Sequence, residues 1–267
     1  MTGPGPGWPT EGPALIGVGI GPGDPSLVTL RAVQVLESAD MVMTPSLSEA
    51  SVGRAEAVVR DVAPGVTCER VVFVMEVDTD ARSAALAEVV DRVVARLDGG
   101  ERVAFATLGD PNVYSTFSSV AEGVASRRPA MNVSTVPGIM AFQELAARSG
   151  TVLVDGDERL VLVPAHREVG AITATALADP DTAVVVYKGG RRVAELAAGA
   201  EAEGRLHGAV LGELLGLPGE RVVPLIDAVA DGRPVTYLST VIVPPHREGP
   251  AIGGPATGGA EPSAGGS

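Results

Sequence analysis

Short apolar runs alternate with helical patterns along almost the whole chain, and most of the runs end in glycine or proline. This alternation constrains the fold more than any other feature. The first run, "ALIGVGI" (14–20), is apolar and closed by glycines, as a buried strand is. "DMVMTP", "TCERVVFVM", "RVAFATLGDP" and "MNVSTVPG" repeat the pattern, with helical stretches between them. "RLVLVPA", "TAVVVYKGG" and "LHGAVLGEL" continue it, followed by a short strand and helix in "RVVPLIDAVADG" and a last strand in "VTYLSTVIVP". Strand–helix–strand order predicts an α/β protein with mainly parallel sheet and helices on the faces. The closely spaced, β-rich final segments predict antiparallel pairing, hence a mixed sheet, in the second half. We place a first domain at 13–136 and a second at 137–246, with the boundary at the Pro137-Gly138 turn.

Between the first two runs, "PSLVTLRAVQVLESA" sets Leu27, Leu30, Val33 and Leu36 at helical spacing. Pro25 suits the first turn of that helix and Asp24 its cap. Asp78 to Asp98 reads as a long amphipathic helix closed by Gly99-Gly100.

Composition narrows the function. The formal net charge of −13 disfavours a nucleic-acid partner. An anionic ligand would need a local basic pocket. Cys68 is the single cysteine, which excludes an internal disulfide and a cysteine-cluster metal site. The three histidines, His166, His207 and His246, lack ligand spacing, so no metal centre is expected. No apolar run is long enough to span a membrane and no signal peptide is visible, so the expected compartment is the cytoplasm. The Gly/Pro-rich segments 1–12 and 247–267 read as disordered tails.

In open α/β sheets, ligands sit beyond the carboxyl ends of the strands. The unusual turns lie there: "GIGPGDP", "TLGDP", "VPGIM", "VPAHR", "YKGGR" and "VLGELLG". They are not a dinucleotide fingerprint, which needs G-x-G-x-x-G. Counting from Gly17 and Gly19 the third position is Pro22, and counting from Gly19 and Gly21 it is Asp24. No Gly-Lys-Ser/Thr phosphate loop occurs either. Asp24 would repel a pyrophosphate, so a rigid Gly/Pro floor for a neutral or cationic ligand is the better fit.

"GVGIGPGDPSLVTLRAVQVLESADMV", "FATLGDPNVYSTF" and "TVPGIMAFQELAARSG" resemble the three signatures of the tetrapyrrole (corrin and sirohaem) methyltransferase family. The resemblance covers about residues 14–245. "LGDPNVYSTF", "AARSGTVLVDGDERLVLVP" and "VVYKGGR" look most like the precorrin-2 C20-methyltransferases within it. It implies two α/β domains with a ligand cleft between them, usually in a homodimer. It also implies S-adenosylmethionine as cofactor and a small-molecule tetrapyrrole as substrate.

Carried over residue by residue, the resemblance assigns the cofactor to Leu108, Gly109, Asp110, Val113, Met140, Ala141, Lys188 and the turn glycine Gly212; Ser115 and Thr116 join them as candidates by their place at the start of the next helix, where their hydroxyls can bind ligand or cap that helix. It lines the substrate floor with Pro22, Gly23 and Asp24; His166 and Arg191 are candidate substrate contacts because each stands at a strand end on the ligand side. Asp24 is the candidate base for the meso-carbon proton, with helix capping as its other role. Arg54, Arg167, Lys188, Arg191 and Arg192 are candidate partners for the eight carboxylates of such a ring. The family usually has Ser or Thr where Met140 stands, and often an apolar residue near Lys188. A Rossmann-type oxidoreductase and a non-catalytic ligand carrier are the competing classes.

Overall fold

The structure is a computed structural model that describes residues 11–46, 48, 50–73, 79–165 and 170–247. Most of both predicted tails, together with His166 and Arg167, lies outside the described residues. The described residues form two compact units. One runs to Ala141 and takes in Leu215–Leu217; the other holds Phe142–Leu214 and the residues from Pro218 onward.

The first unit is a five-stranded parallel sheet in the order β3-β2-β4-β1-β5. Its strands are β1 (Ala14–Gly19), β2 (Met41–Ser46), β3 (Cys68–Val72), β4 (Arg102–Thr107) and β5 (Asn132–Val136). The strands read as continuous apolar runs because helices cover both faces. On one face Ile16, Val18, Ala104 and Val136 pack against Ala32, Val35 and Leu36 of α1 (Leu30–Ser38) and Val58 and Val59 of α2 (Arg54–Val62). On the other, Leu15, Val103 and Phe105 meet Val89, Val93 and Leu97 of α3 (Thr79–Asp98), with Phe117 and Val120 of α4 (Phe117–Arg127). Gly17 is bare because the Phe117 ring fills its place: a Cβ there would lie 2.6 Å from the ring.

The helix expected from Pro25 is divided. Pro25–Leu27 is a single 3-10 turn, Val28 is extended, and α1 begins at Leu30. Thr29 is the true cap, its Oγ1 accepting from Ala32 N at 3.1 Å. The break shifts the helical phase. Leu30, expected on the buried stripe, is 84% exposed; Leu36 is buried as expected, and Ala32 and Val35 join it in place of Leu30 and Val33.

The second unit is a mixed sheet in the order β6-β7-β10-β8-β9. Its strands are β6 (Arg159–Pro164), β7 (Thr182–Tyr187), β8 (Val210–Glu213), β9 (Arg221–Pro224) and β10 (Ser239–Val243). β6 and β7 are parallel; every other pairing is antiparallel. Its core lies between Val184, Val186, Leu211 and Val241 of the sheet and helices α6 (Ala171–Ala178), α7 (Val193–Ala202) and α8 (Leu225–Ala230). The helix between β5 and β6 is α5 (Ala141–Ser149).

Arg205 ties this unit together. Its guanidinium, buried with 5% exposure, donates to the carbonyls of Leu177 (2.7 Å), Asp179 (3.0 Å) and Pro244 (2.7 Å), and to Thr182 O. The planar fork serves carbonyls at the end of α6 and beside β7 and β10 that would otherwise be orphaned. Among the described residues no helix is long and apolar enough to cross a membrane.

Candidate functional site

The candidate residues of the first unit collect where β1, β4 and β5 end side by side. β1 lies between the other two, with Gly19 opposite Thr107 and Val18 opposite Val136. The three following loops meet through glycines. A Cβ on Gly19 would fall 2.5 Å from Gly138 N and 2.6 Å from Gly109 O. On Gly138 it would fall 2.1 Å from Gly109 O and 2.8 Å from Gly19 Cα. Only bare backbone fits there.

Hydrogen bonds fix the same junction. Gly109 N donates to Gly21 O at 2.7 Å, and Ile20 N to Thr107 O at 3.0 Å. Asp110 bridges two loops: Oδ2 accepts from Gly138 N at 3.1 Å, and Oδ1 from Asn112 N at 2.8 Å. Asn112 Nδ2 continues to Thr135 Oγ1 at 3.2 Å. Asp110 thereby positions the segment leading to Met140 and Ala141. Gly109 itself has φ +70 and open space beside its Cα.

Val113 closes the turn, its N–H donating to Asp110 O at 3.3 Å. Ser115 Oγ donates to Thr107 Oγ1 at 3.1 Å and accepts from Phe117 N at 3.1 Å, so it caps α4. Thr116 precedes α4 and makes no side-chain cap bond. Tyr114, between Val113 and Ser115, has φ 50, and burial pushes its hydroxyl above the ordinary tyrosine range.

The first loop is held from another side. Pro22 and Gly23 are buried. A Cβ on Gly23 would lie 2.5 Å from Leu215 O, and one on Gly216 would lie 2.2 Å from Asp24 N. Asp24 Oδ1 accepts from Ser26 N (2.8 Å) and Ser26 Oγ (2.7 Å), which is the capping role.

Within the second unit, Lys188 follows β7 in the left-handed region at φ 61, pinned by its N–H to Ser239 O at 3.0 Å. Its ammonium stands 5.3 Å from the Tyr237 ring centroid. Arg191 is exposed in the turn after it. Gly212 is not a turn glycine. It sits inside β8, paired with Thr240 on one side and Val222 on the other. The turn follows one residue beyond the strand, with Leu214 at φ 50 and Gly216 at φ 68. Glu213, 4% exposed, accepts from Thr236 N at 2.7 Å and Arg221 Nη1 at 3.2 Å.

Sequence reading missed Gly19, Gly138 and Gly216 as individual site positions. The Pro-Gly after β5 and the second glycine of "GELLG" were the only local signals. Among the described residues no three His, Cys, Asp or Glu side chains gather as a metal site.

Residues 14–229 match the family model of the Tetrapyrrole (Corrin/Porphyrin) Methylases. A protein of Methanocaldococcus jannaschii named probable cobalt-precorrin-2 C(20)-methyltransferase is 33% identical over 150 residues, 56% of this chain. The chain spans 63% of that relative's length. The cobalt-precorrin-2 C(20)-methyltransferase of Salmonella typhimurium is 31% identical over 230 residues, covering 86% of this chain and 95% of that protein. The X-ray structure of a cobalt precorrin-4 methyltransferase shares the fold, with a TM-score of 0.66 at 20% identity over 86% of this chain and 94% of the other. The expected resemblance is thus met in model, relatives and fold, and the chain belongs to the tetrapyrrole (corrin/porphyrin) methylases.

Proposed function

We propose that the chain is an S-adenosylmethionine-dependent C-methyltransferase acting at C20 of precorrin-2, giving precorrin-3A in cobalamin synthesis. One observation carries the reading: a backbone junction in which Gly19 and Gly138 admit no side chain against the Gly109 carbonyl, in a chain matching a C20-methyltransferase over 95% of that protein's length. Relatives are named for cobalt-precorrin-2 and, at 33% identity over 160 residues in a Sinorhizobium species, for precorrin-2, and what their names share is methyl transfer at C(20). We assign the protein to the cytoplasm as a homodimer.

The cradle suits the cofactor. Gly109 leaves open space beside its Cα, and the loops present backbone groups rather than competing side chains. S-adenosylmethionine, when bound, supplies an electrophilic methyl group. Leu108, Gly109, Asp110 and Val113 hold it in this reading, with Met140 and Ala141 through their backbone. Ser115 supports the turn by capping α4, and Thr116 stands beside it.

Asp110 is a positioning residue, since its carboxylate fixes the loop that carries Met140. Pro22, Gly23 and Asp24 form the rigid floor for the ring, and Arg191 offers a cation for a ring carboxylate. The chain's contribution to rate is proximity and alignment, which suits a donor and an acceptor that are each already activated. Asp24 remains the candidate base for the departing proton. Ser26 already occupies one of its oxygens.

Calorimetry with S-adenosylmethionine, its demethylated product and NAD tests the cofactor class. Micromolar binding of the first two and none of NAD is expected. Product mass with metal-free and cobalt-loaded precorrin-2 then decides the substrate. Failure to bind either sulfur compound rejects the reading.

A further inference from the structure

Lys188 is the only lysine in a chain that carries nineteen arginines. It occupies a backbone conformation that a side chain rarely adopts, at φ 61, beside two glycines that would take it without strain. Its amide is locked to Ser239 O, so the residue is held rather than loose.

Its side chain is held too. The ammonium lies against the Tyr237 ring at 5.3 Å, a contact that orients a cation without neutralising it. Arg192 is paired with Glu195, Arg221 with Glu213 and Asp231, and Arg233 with Asp231, whereas Arg191 in the following turn is exposed. Among the described residues no carboxylate pairs with Lys188. In a protein of net charge −13, an oriented and unneutralised cation at a strand's carboxyl end is a ready anion contact.

We propose that Lys188, oriented by Tyr237, is a specificity residue that binds a peripheral carboxylate of the tetrapyrrole substrate. The inference rests on the methyltransferase reading above and moves Lys188 from the cofactor to the substrate. A carboxylate is also present on the amino-acid end of S-adenosylmethionine, so the test separates the two sources.

The probe is uroporphyrin III, a tetrapyrrole with eight carboxylates, titrated by fluorescence against the full chain. Its affinity should fall about tenfold in Lys188→Met, the loss expected for one half-exposed charge-assisted bond. Lys188→Arg should restore most of it, and Tyr237→Leu should lose part. Affinity for S-adenosylmethionine should change by less than twofold in all three. Because no other lysine exists, trinitrobenzenesulfonate labelling reports Lys188 directly, apart from the terminal amine. Uroporphyrin should protect it and S-adenosylmethionine should not.

Unchanged uroporphyrin affinity in Lys188→Met overturns the inference while leaving the methyltransferase reading intact. A loss confined to S-adenosylmethionine, or protection by it alone, overturns it as well. Absence of uroporphyrin binding by the wild-type chain defeats this inference and the tetrapyrrole reading together, while cofactor calorimetry still tests the methyl-donor reading.

Discussion

Gly138→Ala is the sharpest test of the glycine junction. The new Cβ would sit 2.1 Å from Gly109 O and 2.8 Å from two backbone carbons of Gly19. Ordinary contact is about 3.5–4.0 Å, so the loops must part by more than an ångström. None of the obstructing atoms belongs to a side chain, so no rotamer change relieves the clash. Overpacking of this kind costs about 1–3 kcal/mol. Separation of the loops also breaks the bond from Gly138 N to the Asp110 carboxylate, adding roughly 1.5–3 kcal/mol. The sum is about 2.5–6 kcal/mol. At roughly 2–4 °C per kcal/mol for a domain of this size, Tm should fall by about 5–25 °C. Gly65→Ala is the control, since nothing lies within 4 Å of its added methyl group. Thermal melting by circular dichroism, with cofactor calorimetry on the same samples, reads both effects. If Gly138→Ala melted with the wild type and bound S-adenosylmethionine equally, the three-loop junction would not be what shapes the site.

Three further outcomes follow from the packing. Arg205→Met leaves the carbonyls of Leu177, Thr182 and Pro244 without their donor and should destabilise by roughly 3 kcal/mol in urea denaturation; a change below about 0.5 kcal/mol would show that water replaces the guanidinium. Arg70, with Arg60, holds the buried Glu56 carboxyl below the ordinary glutamate value of 4.5. Its stabilisation is therefore complete above that value and is lost as pH falls through the lower folded one. Glu56→Gln should cost about 2 kcal/mol at pH 7, allowing for the partly exposed arginines, and the difference from wild type should shrink toward pH 3; a constant difference would contradict the ionic account. Leu30→Glu should leave stability within about 0.5 kcal/mol, whereas Leu36→Ala should cost about 2–5 kcal/mol; a comparable loss at Leu30 would restore the uninterrupted helix from Pro25.

The strand and helix order was legible because both of its signals are local. Runs such as "RVAFAT" and "TAVVVY" are apolar in their interiors, and glycine or proline follows soon after them. The phase of α1 was not legible. Asp24-Pro25 and Thr29 are both competent helix starts, and which one governs depends on how the loop at Pro22–Asp24 packs against Gly216. That contact joins positions far apart in the chain. Gly212 failed for a similar reason. A glycine in "VLGELLG" reads as a turn until β8 is seen paired on both sides, with the turn delayed to Leu214 and Gly216.

The same distinction explains why no catalytic constellation stood out. Side-chain chemistry leaves a residue type that can be searched for. The junction of Gly19, Gly109 and Gly138 works by what is missing, since Gly19 and Gly138 each need the absence of a Cβ opposite the Gly109 carbonyl, while Gly109 supplies the left-handed turn at φ +70. An alanine scan of polar residues would pass over all three, and Asp110 alone would register, through its hold on Gly138. Substitution of the glycines should therefore separate this site from one built on acid–base side chains. If the reading is right, alanine at Gly138 abolishes cofactor binding while a polar residue such as Ser115, used to cap α4, affects stability first and binding only through it.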